Sequence, residues 1–223
     1  MTAQTPALVA EREALAAFGC RLGPDDLAPG MSGNLSVRAG GLVLITPSGV
    51  PYPDVTPADM CLVRISDGTA VASPTACEPS TETPMHLAVY RATDARAIVH
   101  THSPFVVALS TVCDELPAVH YAMADLGGPV RVVPYLRFGT AELAGAAAAA
   151  LAGRAAVILR NHGALTCGPG LARAYERARM LEWLARVYWY ARLAGTPHTL
   201  SAEQLTEVAE ATRAIGYGEA GQS

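Results

Sequence analysis

The strongest constraint on the fold of this chain is a short apolar run that ends in two histidines and is followed by a serine and a proline. The run Ala97–Val99 is rich in β-branched residues, which favours a buried strand over a short helix. The dipeptide Ser103-Pro104 is typical of a helix N-cap and first turn. His100 and His102 are therefore predicted to lie on one face at the end of a strand, where a helix begins.

Two imidazoles on one face can bind a metal ion, although a lone His-x-His pattern also fits surface or core histidines. Two other stretches favour the metal. Upstream, Glu82 lies in the first turn of a predicted helix, and downstream the apolar run 155–160 ends in Asn161-His162-Gly163. Because a catalytic zinc site needs three protein ligands and one open position, His162 is the candidate third ligand. His86, one helical turn after Glu82, is interpreted as a packing or supporting residue.

The composition describes one soluble domain over residues 1–223, with 51% apolar and 16% charged residues. A net charge of -4 provides no general attraction for nucleic acid or for an acidic membrane surface. The apolar stretches are too short to span a membrane and the first residues lack the order of a secretory signal, so we expect a cytoplasmic protein. The five cysteines are scattered and form no C-x-x-C pair, which indicates small buried residues; Cys167 alone lies near a candidate ligand.

The hydrophobic pattern predicts a mixed sheet covered by helices, with hairpins in the first third and alternating helices and strands afterwards. Gly40-Gly41 and Asp67-Gly68 mark the two hairpins. The predicted helices cover residues 6–22, 82–92, 104–111, 140–151, 171–193 and 201–215. From about residue 216 onward, the glycine-rich end of the chain is predicted to be a flexible tail.

Several short motifs occur together, in an order and at spacings that resemble those of the class II aldolase/adducin family. They are Gly33-Asn34, Thr46–Tyr52, Ser80-Thr81-Glu82, His100-Thr101-His102, Leu116–Tyr121, Pro134–Thr140 and Asn161-His162-Gly163. The resemblance implies an α/β fold, a three-layer α/β/α sandwich with a central mixed, mainly antiparallel sheet. It also implies a sugar-phosphate substrate and a homotetramer with active sites between neighbouring subunits. One zinc ion per subunit is implied as cofactor, and manganese or cobalt could replace it.

Transferred residue by residue, the family's three zinc ligands fall on His100, His102 and His162, and its acid/base carboxylate falls on Glu82. Glu82 is also a candidate metal ligand, because this carboxylate can bind the resting metal. The family's reaction is the reversible cleavage of a ketose 1-phosphate, such as L-fuculose 1-phosphate, to dihydroxyacetone phosphate and an aldehyde. The chain contains no lysine, which excludes an aldolase mechanism that forms a Schiff base on a side-chain amine.

The resemblance assigns the remaining substrate contacts to uncharged residues. The phosphate contacts fall on Gly33, Asn34, Ser48, Gly49, Ser80 and Thr81. Glycine lets backbone N–H groups approach an anion, hydroxyls and amides donate hydrogen bonds, and a helix N-terminus favours negative charge. Proton transfer at the aldehyde oxygen falls on Tyr121 of a neighbouring subunit, with Tyr217 in the tail, and Phe138 shapes the aldehyde pocket.

Three other functions of the same fold stay open. Pentulose-phosphate 4-epimerases have an aspartate where Glu82 stands, which favours an aldolase here, whereas Thr83-Pro84 resembles the epimerases. A methylthioribulose-1-phosphate dehydratase would share the zinc and the carboxylate, but the motifs around Tyr121 and Phe138 favour the aldolase. Adducin head domains use the fold as a structural module without the metal histidines, all of which this chain retains.

Overall fold

The computed structural model describes residues 8–71 and 75–215. Its helices are α1 (Val9–Arg21), α2 (Thr83–Ala92), α3 (Pro104–Ser110), α4 (Ala141–Ala150), α5 (Leu171–Ala194) and α6 (Ala202–Ala214). Its strands are β1 (Asn34–Ala39), β2 (Leu42–Ile45), β3 (Cys61–Arg64), β4 (Ala70–Val71), β5 (Ala97–Thr101), β6 (Glu115–Leu116), β7 (Val130–Val133), β8 (Ala156–Leu159) and β9 (Gly163–Gly168). Short 3-10 helices cover Tyr52–Asp54, Pro57–Asp59 and Tyr121–Leu126.

All nine strands of the described residues form one sheet in the order β4-β3-β2-β1-β5-β9-β8-β7-β6. Neighbouring strands are antiparallel except β7 and β8, which are parallel. Both predicted hairpins are present, with Gly40-Gly41 joining β1 to β2 and Asp67-Gly68 lying between β3 and β4. The predicted mixed, mainly antiparallel sheet is confirmed.

The two faces of the sheet are covered by different helices. Along β2, Val43 and Ile45 pack in a cluster with side chains of α2 and α4, whereas Leu44 packs on the opposite face with α1 and α5. A third cluster joins α3 and the second half of α5 to β7 and β8. This alternation follows from the two-residue repeat of strand side chains, and it confirms the predicted α/β/α layers.

The main difference from the predicted elements is β9, which the sequence pattern did not indicate. Its six residues have glycine at both ends and little apolar alternation, so they resemble a loop when taken alone. The strand is stabilised by partners on both sides, since it pairs with β5 and with β8. The turn between β8 and β9 carries His162, so this hairpin brings the third histidine beside the other two.

The N-terminus of α3 is fixed in a way that the sequence did not predict. Ser103 occupies the N-cap position, but its buried hydroxyl has no hydrogen-bond partner among the described residues. The carboxylate of Glu182, from α5, instead accepts hydrogen bonds from the N–H groups of Phe105 and Val106, both at 3.0 Å. Glu182 therefore anchors the turn that follows His102 to the long helix.

Cys61 and Cys167 are buried as predicted, whereas the prediction is wrong for Cys20, which is exposed on α1. Cys167 faces the cluster of α2 and α4 and does not belong to the metal-ligating group described below. Among residues 8–71 and 75–215, no helix combines the length and the apolar character that a membrane span requires.

Candidate active site

Four metal-ligating side chains converge at one end of the central strands. One ligand atom from each of Glu82, His100, His102 and His162 lies within 4.8 Å of every other. The ring centroid of His100 lies 4.7 Å from that of His102 and 4.9 Å from that of His162, with the rings steeply inclined. The structure thus brings together all four residues that were predicted as metal ligands.

Local geometry explains why the third histidine reaches this group. The turn Arg160–His162 is three residues long, and Asn161 adopts the left-handed conformation at φ 54°, which asparagine tolerates better than most residues. The following Gly163 lies so close to β5 that a Cβ atom there would be 2.0 Å from the carbonyl oxygen of Thr101. Glycine at this position is therefore needed for the close approach of β5 and β9, and not for its φ angle.

The hydrogen bonds of His100 define which of its nitrogens faces the group. Its Nδ1 lies 2.9 Å from the carbonyl oxygen of Ala164, which can only accept, so Nδ1 carries the proton. Its Nε2 faces the group, 2.9 Å from Nε2 of His102 and 3.0 Å from Oε2 of Glu82. Burial would lower the pKa of this imidazole, but the Glu82 carboxylate outweighs burial and raises the pKa. Electron-rich atoms at these separations require a proton or a cation between them. Three imidazoles and a carboxylate form a suitable ligand set for zinc or a similar divalent cation.

The protonation states of the group also suit a metal. Burial, together with the neighbouring His100 and His162, lowers the pKa of His102 to about 3, which leaves a neutral imidazole. Burial alone would raise the pKa of Glu82, but contacts with His100, His162 and Asn34 outweigh it and hold the pKa well below its usual range. The Oε1 atom of Glu82 is buried 3.2 Å from Nε2 of His162, without a well-oriented hydrogen-bond donor among the described residues.

A cleft of about 320 Å³ opens next to this group. Glu82, His102 and His162 line it, while His100 lies behind them and is fully buried. The structure brings these residues together with all six predicted phosphate contacts and Phe138, that is, with Gly33, Asn34, Ser48, Gly49, Ser80, Thr81 and Phe138. No lysine or arginine of the described residues lines the cleft.

Two of the predicted phosphate contacts, Gly33 and Asn34, also have structural roles. Gly33 has φ +76°, and a Cβ atom there would lie 2.8 Å from the carbonyl oxygen of His100, so only glycine fits. Asn34 is nearly buried, and its amide nitrogen donates a hydrogen bond of 2.9 Å to Oε2 of Glu82. The side chain of Asn34 is therefore already engaged with the carboxylate, and only its second N–H remains for a ligand.

Among the described residues, the predicted Tyr121 is not brought to the cleft of its own chain. Tyr121 begins the 3-10 helix Tyr121–Leu126, is 59% exposed and packs against the ring of His120 at a centroid distance of 4.4 Å. It lies outside the cleft lining. Tyr217 lies outside the described residues, as does the predicted tail.

Sequence reasoning missed several residues of the cleft. They are Met31, Ser32, Pro47, Tyr135, Leu136 and Asn161. Tyr135 and Leu136 belong to the motif that contains Phe138, and Asn161 directly precedes His162. Their position within or beside a predicted site motif is the sequence signal that could have identified these three residues. His86 does not line the cleft; it is fully buried behind Asn34, with its Nε2 atom 2.6 Å from Oδ1 of the amide.

Comparisons with known proteins agree with this geometry. Residues 13–189 match the family described as Class II Aldolase and Adducin N-terminal domain. The chain is 36% identical over 212 residues to the 5-deoxy-D-ribulose 1-phosphate aldolase of Bacillus thuringiensis serovar kurstaki, covering 94% of this chain and 97% of that protein. It is 36% identical over 193 residues to the L-fuculose phosphate aldolase of Escherichia coli K12, and this match covers 85% of this chain and 88% of that protein.

A solved structure of an L-fuculose 1-phosphate aldolase matches with a TM-score of 0.88 and 35% identity, covering 96% of this chain and all of the other. The family match over residues 13–189 includes the strands that carry the histidines and the start of α2. The chain therefore belongs to the class II aldolase and adducin family, and it is an enzyme of the aldolase branch.

Proposed function

We propose that this chain is a zinc-dependent aldolase that reversibly cleaves a ketose 1-phosphate to dihydroxyacetone phosphate and an aldehyde. The substrate is L-fuculose 1-phosphate or a related sugar such as 5-deoxy-D-ribulose 1-phosphate. The observation that carries the proposal is that one cleft adjoins the group of three histidines and Glu82, with Glu82, His102 and His162 in its lining, and is also lined by uncharged donors suited to a phosphate. The names of the two curated relatives support this class of substrate.

The phosphate is held without a basic side chain. Gly33 and Gly49 have positive φ angles, and at Gly33 a Cβ would collide with the strand that carries His100. Ser80 and Thr81 precede Glu82, the N-cap residue of α2, whose N-terminal N–H groups and dipole favour an anion.

Glu82 transfers the proton to and from the substrate carbon. In its ionised form the carboxylate can, in the condensation direction, take a proton from the hydroxymethyl carbon of dihydroxyacetone phosphate. In the cleavage direction the C4 hydroxyl loses a proton as the bond between C3 and C4 breaks, and Glu82, once protonated, delivers a proton to C3. A divalent cation bound by His100, His102 and His162 would stabilise the negative charge that develops on the substrate oxygens.

Tyr121 serves the cleft of a neighbouring subunit in a homotetramer, and Tyr217 and Phe138 complete the aldehyde side. In support, Tyr121 is largely exposed, and the nearby Trp183 is 39% exposed although its ring packs on His120. Aromatic side chains that are exposed to solvent in this way are typical of an interface between subunits.

Mixed tetramers test whether Tyr121 acts on another subunit. Tyr121→Phe and Glu82→Gln are each expected to lose most activity, but tetramers assembled from equal amounts of both should regain about a quarter of the wild-type sites, because each site combines two chains. Differently tagged variants are co-expressed, purified through both tags and assayed. A mixture of Glu82→Gln with His162→Ala is the control and should recover nothing. Absence of recovery in the first mixture would contradict a role for Tyr121 across the interface.

The substrate class is tested by measuring dihydroxyacetone phosphate release from four sugar phosphates. They are L-fuculose 1-phosphate, 5-deoxy-D-ribulose 1-phosphate, methylthioribulose 1-phosphate and a pentulose 5-phosphate. We expect release from at least one of the ketose 1-phosphates, and loss of release when the metal is removed by a chelator. An epimerase or a dehydratase would convert its substrate without releasing dihydroxyacetone phosphate, and that result would refute the aldolase proposal.

A further inference from the structure

A buried hydrogen-bond network leads away from Glu82 into the layer between β1 and α2. It consists of Glu82, Asn34, His86, Ser36 and Tyr90. Asn34 donates to Glu82 Oε2 at 2.9 Å, His86 Nε2 lies 2.6 Å from Asn34 Oδ1, Ser36 Oγ lies 2.7 Å from His86 Nδ1, and Tyr90 Oη lies 2.8 Å from Ser36 Oγ. Each of the five residues is at most 7% exposed, so water has little access to replace these contacts.

The network is built from two matching repeats. Asn34 and Ser36 lie two residues apart on one face of β1, while Glu82, His86 and Tyr90 follow one another at four-residue steps on one face of α2 and the turn before it. Two residues along a strand and four along a helix span similar distances, roughly 6–7 Å. The helix and the strand can therefore pair polar groups along their shared face.

The ionised carboxylate at one end determines the direction of every hydrogen bond. A carboxylate only accepts, so Asn34 must turn its NH2 group to Glu82 and its Oδ1 atom to His86. His86 must then carry its proton on Nε2 and accept at Nδ1, which makes Ser36 the donor to His86 and Tyr90 the donor to Ser36. Burial also lowers the pKa of His86 to about 3, in agreement with a neutral imidazole.

We propose that His86 is a positioning residue that acts through Asn34, holding the amide in the one orientation that supports the acid/base carboxylate of Glu82. If the amide turned over, its oxygen would face the carboxylate oxygen, and the two would repel each other. His86 prevents this by donating to Oδ1, and Ser36 with Tyr90 hold the imidazole in the required tautomer. The inference rests on the proposed role of Glu82 in proton transfer.

The kinetic test compares two substitutions of His86 in the zinc-loaded enzyme. His86→Leu should lower kcat about 100-fold, because a small misplacement of a catalytic group has effects of that size, while KM and zinc content change less than about threefold. His86→Gln retains an N–H group that can reach Asn34, and it should return kcat to within about tenfold of the wild type. The matched control is Thr166→Val in β9 of the same sheet, which removes a buried hydrogen bond of 2.8 Å to the carbonyl oxygen of Ala174 in α5 and should leave kcat within about twofold.

A double-mutant cycle separates positioning from a general loss of structure. In a Glu82→Gln background, adding His86→Leu should change the residual kcat less than about threefold, since residues that act as a unit are not additive. If the two losses multiply instead, His86 does not act through Glu82 and the proposal is overturned. A loss of zinc with His86→Leu that His86→Gln does not repair would overturn it as well.

Neutron diffraction from crystals of the zinc-loaded enzyme tests the hydrogen-bond directions without reference to any substrate. We expect deuterium on Nε2 of His86 and none on Nδ1, with the amide nitrogen of Asn34 facing Glu82. Deuterium on Nδ1 in an enzyme that cleaves a ketose 1-phosphate would overturn the role of His86 and leave the proposed function intact. The expected pattern in an enzyme that cleaves none of the sugars would refute the proposed function and support the positioning of Glu82 by His86.

Discussion

Glu82→Gln is expected to keep its metal and to lose most of its turnover. Glutamine has the shape of glutamate but cannot take up a proton at neutral pH, so kcat should fall about 10²- to 10⁴-fold, the usual contribution of a general acid or base. The three imidazoles remain, and His100 keeps its hydrogen bond to the carbonyl oxygen of Ala164. Zinc per subunit is measured by elemental analysis, and kcat is measured with the ketose 1-phosphate that the wild type cleaves best.

His100→Ala is the comparison for that variant, because it should lose both the metal and the activity. His100 is fully buried, and its Nε2 atom lies near the ligand atoms of both Glu82 and His102. Loss of a partner outside the ligand set typically lowers metal affinity by 10- to 100-fold, so loss of a ligand should lower it by more than about 100-fold. Equal loss of zinc in the two variants would refute the separate roles of carboxylate and imidazole.

Gly163→Ala is expected to destroy the metal site although the residue carries no functional group. The added methyl would lie 2.0 Å from the carbonyl oxygen of Thr101 and 3.2 Å from Cδ2 of His102, so β5 and β9 must separate. Overpacking of this kind costs about 3 kcal/mol in free energy of unfolding, and here it also moves His162 away from the other two histidines. The measurements are the urea midpoint at fixed protein concentration and the zinc content.

Gly145→Ala is the matched control, because Gly145 lies in α4 and a Cβ atom there would have no neighbour within 4 Å. Alanine replaces glycine favourably within a helix, so this variant should be about 0.5–1 kcal/mol more stable than the wild type, with unchanged zinc. If Gly163→Ala behaved in the same way, the close approach of β5 and β9 would not be what places His162.

Local sequence patterns predicted most of the helices and the first hairpins. Gly40-Gly41 and Asp67-Gly68 mark turns by their own conformational preferences, and the repeat of apolar residues located α2, α4 and α5 to within one or two residues of their ends. β9 lacked such a signal, because its stability comes from two partner strands and not from its own composition. The N-terminus of α3 was predicted correctly at Ser103-Pro104, but its capping contact was not, since the acceptor is the carboxylate of Glu182, 77 residues away from Phe105.

For the candidate site, too, some features could be predicted from the sequence and others depend on the tertiary structure. His100 and His102 could be placed on one face by strand periodicity, and the motifs indicated Glu82, His162 and the uncharged donors as members of one site. The convergence of these groups depends on the order of strands in the sheet, which inserts β9 between β5 and β8. The engagement of Asn34 with both Glu82 and His86 was likewise invisible in the sequence, because it joins residues 48 and 52 positions apart.

The sequence by itself determined the chemical inventory: three histidines and a glutamate able to hold a divalent cation, neutral donors for an anion, and no lysine for a Schiff base. Only the tertiary structure decided how these groups meet, because strand order and the contact between β5 and β9 at Gly163 are set by packing between distant segments. It also decided which atom of Asn34 and His86 faces which partner, since a buried carboxylate accepts hydrogen bonds and does not donate them.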